Sequence, residues 1–141
     1  MRRVFAVLAL MLFAAGCSRT PDETQIREAI AAMEHAVEQR QPREFMAFVA
    51  EDFTGSEGSL DKAGVHNLLR AQFLGNQAVG VVLGPIEVTL TGERAVAKVS
   101  ATLTGGSGGW IPERGAVYDF DTGWKKVGGE WRCISANWTR H

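Results

Sequence analysis

A chain of 141 residues, 45% hydrophobic and 22% charged with a net charge of −1 at pH 7, has the composition of one ordinary globular domain. It is long enough to bury about two thirds of the surface its unfolded form exposes, so it needs neither disulfides nor a structural metal to fold. No basic run or stripe is present to neutralise phosphates, which excludes nucleic acid as a partner on composition. His35, His66 and His141 are isolated and only two cysteines occur, so no metal site and no cofactor is expected.

Arg2 and Arg3 precede a short apolar run from Val4 to Phe13, and Ala14-Ala15-Gly16 leads into Cys17. A positive n-region, a short h-region and small residues are the pattern of a cleaved export signal. The apolar run is too short for a membrane-spanning helix, which takes about 20 residues. Small residues ending in cysteine resemble the lipobox of bacterial lipoprotein signal peptides. The resemblance implies that residues 1–16 are removed, that Cys17 becomes the acylated (palmitate-bearing) first residue, and that the lipid bilayer is a partner. Because Ser18 follows rather than Asp, the expected location is the cell envelope, at the outer membrane and facing the periplasm. Residues 17–19 then form the lipidated cysteine and a short tether, and residues 20–141 the domain. Removal of the signal takes away two of the 15 basic side chains and no acid, leaving the domain mildly acidic.

Thr20-Pro21-Asp22-Glu23 reads as a capping box opening a first helix to about Gln39, with Ile26, Ala29, Ile30, Met33, Ala36 and Val37 on one apolar stripe and His35 on the solvated side. Pro42 starts a shorter predicted helix, with Phe45, Phe48 and Val49 inward, that ends near Phe53. Asp61 caps a third helix carrying Val65, Leu68, Leu69 and Phe73, with His66 at the stripe's edge, and Gly75-Asn76 ends it.

From Val79 the apolar period changes to two. A hairpin pairing Thr91 with Arg94 sets Glu87 opposite Lys98 on the outer face, and Pro85 marks a bulge or an edge. A glycine-rich connection, residues 105–115, leads to the closing hairpin, folded on Gly128-Gly129. Pairing Val127 with Glu130 there puts Tyr118, Phe120, Thr122 and Trp124 on one face with Trp131, Cys133, Ser135, Asn137 and Thr139. Asp119, Asp121, Lys125, Arg132, Ile134, Trp138 and Arg140 then fall on the other.

Gly105 to Gly109 satisfies the G-x-S-x-G pattern of a nucleophile elbow, but Trp110-Ile111-Pro112 prevents the helix an elbow requires. Trp110 either folds back onto the domain's own apolar surface or acts as a lid or a stacking platform for a ligand. Asp119 and Asp121 are the candidate general bases. The register turns both to solvent, unless a bulge at Gly123 swings them into the interior, where a carboxylate of raised pKa would abstract a proton. Cys133 without a partner reads as a buried thiol that packs as a small hydrophobe, a catalytic or intermolecular role being the alternative.

Three helices followed by four antiparallel strands give an α+β fold in which a curved, mainly antiparallel four-stranded sheet wraps the helices. On Ile26–Val37, on the segment ending Glu51-Asp52-Phe53, and on the run Glu130 to Thr139, the chain resembles the nuclear transport factor 2-like superfamily, which includes SnoaL-like and ketosteroid-isomerase-like domains. The resemblance implies a cone-shaped roll with a cavity between helices and sheet, and often a homodimer through the sheet, for which Ile134 and Trp138 on the outward face would serve. Asn137 stands where many members place a cavity histidine. The expectation is therefore a non-catalytic module, either binding a small apolar ligand with Tyr118, Trp124, Ser135 and Asn137 lining the pocket, or serving structure and assembly. The alternative is an isomerase, dehydratase or hydrolase using Asp119 or Asp121.

Overall fold

Helix α1, Asp22–Glu38, lays one stripe on the sheet: Ile26, Ala29, Ile30 and Ala36 are buried, whereas His35 is exposed. The computed structural model describes residues 20–105 and 115–141. Cys17 and Trp110, with the expectations attached to them, lie outside the described residues. The remaining elements are α2 (Pro42–Met46), β1 (Val49–Gly55), β2 (Leu60–Asp61), α3 (Lys62–Gly75), β3 (Val79–Thr91), β4 (Arg94–Gly105), β5 (Ala116–Val127) and β6 (Glu130–Arg140). The fold is the expected α+β one, three helices on a curved, open sheet.

That sheet has six strands in the order β2-β1-β6-β5-β4-β3, two more than expected. Of the added pair, β1 comes largely from the segment read as the second helix, and β2 from Leu60–Asp61 at the start of the third. Helix α2 stops at Met46, and Val49 onward is extended, pairing parallel with β6 from Val49 opposite Cys133 to Gly55 opposite Ala136. Phe45, Phe48 and Val49 have helical spacing, but tertiary pairing with β6 overrides so short a local pattern.

Thr20 does not cap α1. Pro21 occupies the cap position with an extended ψ of 144°, so Thr20 lies one residue too early for its hydroxyl to reach the first-turn N–H groups. The helix start is held instead by Asp22, whose Oδ1 accepts from Lys126 Nζ at 2.8 Å and Trp131 Nε1 at 3.1 Å, pinning α1 to the closing hairpin. Asp61 does cap α3, accepting from Gly64 N at 2.8 Å. At the other end of α3 the guanidinium of Arg40, itself at φ +58°, bonds the carbonyls of Phe73, Asn76 (2.7 Å) and Gln77 (2.5 Å), a cation placed at the negative end of the helix dipole.

The β3–β4 hairpin has the expected register, Thr91 opposite Arg94 and Glu87 opposite Lys98. Pro85 sits both at a register shift, between Leu83 and Ile86, and on the sheet's edge strand, where its missing N–H breaks no ladder. Helix α1 covers that edge: Glu38 Oε1 accepts from Val81 N at 3.0 Å and Arg27 donates to Ile86 O.

The closing hairpin turns on Gly128 (φ +58°) and Gly129 (φ +81°), with Val127 opposite Glu130 as expected. Register holds to Trp124 opposite Cys133, and then Gly123 pairs with Ser135. Ile134 is the additional residue of a β-bulge. Past it every β6 side chain changes face: Ala136 and Trp138 pair with Thr122 and Phe120 on the inner face, and Ser135 and Asn137 pair with Gly123 and Asp121 on the outer one. The faces read for Ser135, Asn137, Thr139, Trp138 and Arg140 are corrected accordingly. Gly123 faces the bulge from the opposite strand, where a Cβ would lie 2.4 Å from Ser135 Oγ. Strand β5 itself keeps its phase, so Asp119 and Asp121 stay on the outer face.

Candidate functional site

The three helices, β1, β2 and the inner face of β3–β6 line a partly open cavity of about 260 Å³. Its lining comes from the apolar stripes that made these elements legible: Ile30, Met33 and Val37 from α1, Leu68, Leu69 and Phe73 from α3, and alternate residues of the strands. Phe45, Phe53, Phe73, Phe120, Trp124 and Trp138 supply its aromatic wall, the last only because of the bulge at Ile134, and Trp138 meets Phe120 with ring centroids 6.2 Å apart.

Of the five residues assigned to the pocket from sequence, Trp124 lines it and Trp110 lies outside the described residues. Tyr118 is on the inner face and 3% exposed, against Phe120 at 6.1 Å between centroids, but beyond the cavity wall. Ser135 and Asn137 are on the other side of the sheet. Asn137 instead accepts from Glu57 N at 2.9 Å, steadying the turn Ser56–Gly58, in which Ser56 and Glu57 have φ near +50°. The outward apolar pair proposed for a dimer is divided in the same way: Trp138 faces the cavity and Ile134 sits in the bulge.

The candidate bases stay outside. Asp119 is exposed; the Ser100 hydroxyl donates to it at 2.5 Å and His141 Nε2 contacts its other oxygen, and these two partners hold its carboxyl below the usual range. Asp121 is exposed and 3.9 Å from Lys98. Neither is within reach of a molecule in the cavity.

Polar residues lining the cavity are few, and they meet it through carbon rather than through their polar atoms. Thr122 Oγ1 donates to Ala97 O and accepts from Trp124 Nε1, both at 2.8 Å. Cys133 donates its thiol proton to Ser135 O at 3.3 Å, and burial pushes the thiol up from 9.0 to about 12. A thiol held neutral is a poor nucleophile. Sequence reasoning missed Glu34 and Gln72, which line the cavity from α1 and α3. The available signal was their place beside the apolar stripes, one residue after Met33 and one before Phe73.

The shifted thiol has a measurable consequence. Below pH 9 it is protonated in both folded and unfolded chains, and its contribution to stability is fully present. Above pH 9 only the unfolded thiol ionises, so stability falls by about 1.4 kcal/mol per pH unit until the folded thiol follows near pH 12. Urea unfolding at pH 8.5 and 10.5 should show the wild type losing about 2 kcal/mol more than Cys133→Ala over that interval. Equal losses would show that the thiol is solvated in the fold.

Among solved structures, a protein from Novosphingobium aromaticivorans provisionally named scytalone dehydratase superposes with a TM-score of 0.73 at 12% identity, covering 84% of this chain and 83% of that one. A nuclear transport factor 2-like protein from Cytophaga hutchinsonii gives 0.72 at 14% identity, with 86% and 100% covered. One of unknown function from Pseudomonas putida KT2440 gives 0.68 at 20%, with 83% and 84% covered. These likenesses establish the fold. No curated protein matches the chain. The sequence model of the SnoaL-like domain matches residues 18–137, and with that match the chain belongs to the SnoaL-like domain family.

Proposed function

We propose that the domain is a non-catalytic module that holds one small, largely apolar molecule in its cavity, and that Cys17 tethers it by lipid to the envelope membrane on the periplasmic side. The observation that carries the first part is the cavity's chemistry. Its wall is aromatic and aliphatic, Thr122 is satisfied within the protein, the thiol is held neutral, and among the described residues no histidine lines it. Such a wall favours transfer of apolar surface from water and offers no paired acid and base. Taking about 30 Å³ per water-sized group, the cavity holds a molecule of about ten non-hydrogen atoms.

The rival is a dehydratase, isomerase or hydrolase, which the provisional name of the Novosphingobium protein brings to mind. It would need Asp119 or Asp121 at the reacting atoms, and both point away; Glu34, the one acidic residue that lines the cavity among the described residues, turns no polar surface into it. Titrating the purified chain with naphthalene while following tryptophan emission tests the binding reading, because Trp124 and Trp138 stand on the wall. A saturable change is expected, at least tenfold weaker in Ala136→Phe, whose added ring fills the cavity. No saturable change in the wild type, or an unaltered one in Ala136→Phe, would overturn it. The tether rests on the sequence around Cys17; Cys17→Ser should abolish incorporation of an alkyne-labelled palmitate and release the protein from the membrane fraction, and continued labelling would refute acylation at that residue.

A further inference from the structure

The start of α1 and the tips of both long hairpins meet at one end of the domain. Asp22 is held by Lys126 and Trp131, on the two sides of the Gly128-Gly129 turn, and Lys126 N donates at 2.9 Å to Glu93 O in the β3–β4 turn. Thr20, the first described residue, is fixed to the same end, because Gln25 Nε2 donates to its carbonyl at 2.7 Å. Two large apolar side chains stand out to solvent here: Val127, 49% exposed at the tip of the closing hairpin, and Leu90, 41% exposed on the edge strand behind it. The charges around them are mostly paired within the protein, Lys125 with Asp52, Lys126 with Asp22 and Arg132 with Glu130, so neither sign dominates this end.

Only Ser18 and Arg19 separate Thr20 from Cys17. Three peptide steps reach at most about 11 Å. A bilayer about 30 Å thick in its hydrocarbon core and about 40–45 Å overall has about 5–7 Å of head groups on each side. Acyl chains on Cys17 therefore leave about 5 Å of free tether, too little to lift the Thr20 end clear of the head groups or to turn the opposite end toward them. That opposite end is far off: α1 rises about 25 Å over its 17 residues before Glu38 meets Val81, and Arg40 just beyond it bonds the last carbonyls of α3.

Resting on the lipid tether read at Cys17, we propose that the start of α1, with the turns at Gly92-Glu93 and Gly128-Gly129, is the face the domain lays on the bilayer. Val127 enters the head-group layer and Leu90 sits at its edge. Gly128 and Gly129 put no side chain between the backbone of the turn and the lipid. Because the charges here are matched inside the protein, the contact does not depend on anionic lipid or on low salt. The end carrying Leu74 and Val82 is then the one presented away from the membrane.

Val127→Cys, Leu74→Cys and Val82→Cys, each in the full acylated chain purified from membranes, can carry a single maleimide-linked bimane. The Cys133 thiol is buried and held neutral, and acylation blocks the sulfur of Cys17. In phosphatidylcholine vesicles brominated on the upper acyl carbons, bimane at position 127 should be quenched at least about twofold relative to unbrominated vesicles, and bimane at positions 74 and 82 by less than about a tenth. The contrast should persist in about 0.5 M salt. Equal quenching at the three positions, or none at position 127 in chains that incorporate alkyne-labelled palmitate, would overturn this face while leaving the tether. Quenching that vanishes in high salt would overturn the apolar contact in favour of electrostatic capture. A wild type that takes up no palmitate and leaves the membrane fraction would overturn tether and face together.

Discussion

Ala136→Asp should cost the domain roughly 3–5 kcal/mol, whereas Ser135→Asp, one residue earlier, should cost less than about 1 kcal/mol. The difference rests on the bulge. Ile134 is its additional residue, so beyond it Ala136 faces inward opposite Thr122 and lines the cavity, while Ser135 faces outward opposite Gly123. A carboxylate at position 136 is placed against apolar walls, and among the described residues no lysine or arginine lines the cavity to pair with it. A carboxylate at position 135 stays on the outer side of the sheet. Urea unfolding of the two variants reads the difference, and naphthalene should bind only the second. Equal costs, or the larger cost at Ser135, would mean that the strand is straight and that Asn137, not Trp138, faces inward.

Trp124→Ala should cost about 3–5 kcal/mol, a large part of the 5–15 kcal/mol that holds a typical domain together. Trp124 is 1% exposed and sits where the main core and the cavity share a wall. Its Nε1 donates to Thr122 Oγ1, which in turn donates to Ala97 O on the neighbouring strand. Truncation therefore removes an aromatic packing surface, enlarges an existing void and leaves the Thr122 hydroxyl short of a donor. Trp124→Phe keeps most of the volume and loses only the N–H bond, so it should cost about 1–2 kcal/mol beyond the small change in area. Chemical denaturation of both variants separates the two contributions; equal costs would mean that the hydrogen bond, not the packing, carries the stability of this site.

Much of this arrangement is written locally in the chain. Helices α1 and α3 follow from apolar residues at helical spacing, the end of α3 from Gly75-Asn76, and the β3–β4 register from the opposed charges of Glu87 and Lys98. Where reading failed, the deciding interaction was distant in sequence. Val49–Gly55 is extended because β6, about eighty residues later, offers it a ladder, and nothing within the segment announces that. The bulge was legible but subtle. Apolar residues fall on odd positions at Trp131 and Cys133 and on even ones at Ala136 and Trp138, a change of phase around Ile134, and Gly123 marks the opposite strand where the crowding needs a residue without a side chain. The glycine located the irregularity but on the wrong strand, and that one misplacement exchanged Asn137 for Trp138 in the cavity. The aspartates were read correctly as outward because β5 is regular. Glu34 and Gln72 escaped notice because polar residues beside an apolar stripe usually face water; it is the carbon of their side chains that lines the cavity.

A crystal of the chain soaked with 1-bromonaphthalene and measured at the bromine absorption edge tests most directly whether the cavity is a ligand site. The predicted result is an anomalous peak among Phe120, Trp124 and Trp138, with the ring system enclosed between α1, α3 and the sheet. Bromine found only on the outer face beside Asp119 and Asp121, with the chamber closed by its own side chains, would contradict it.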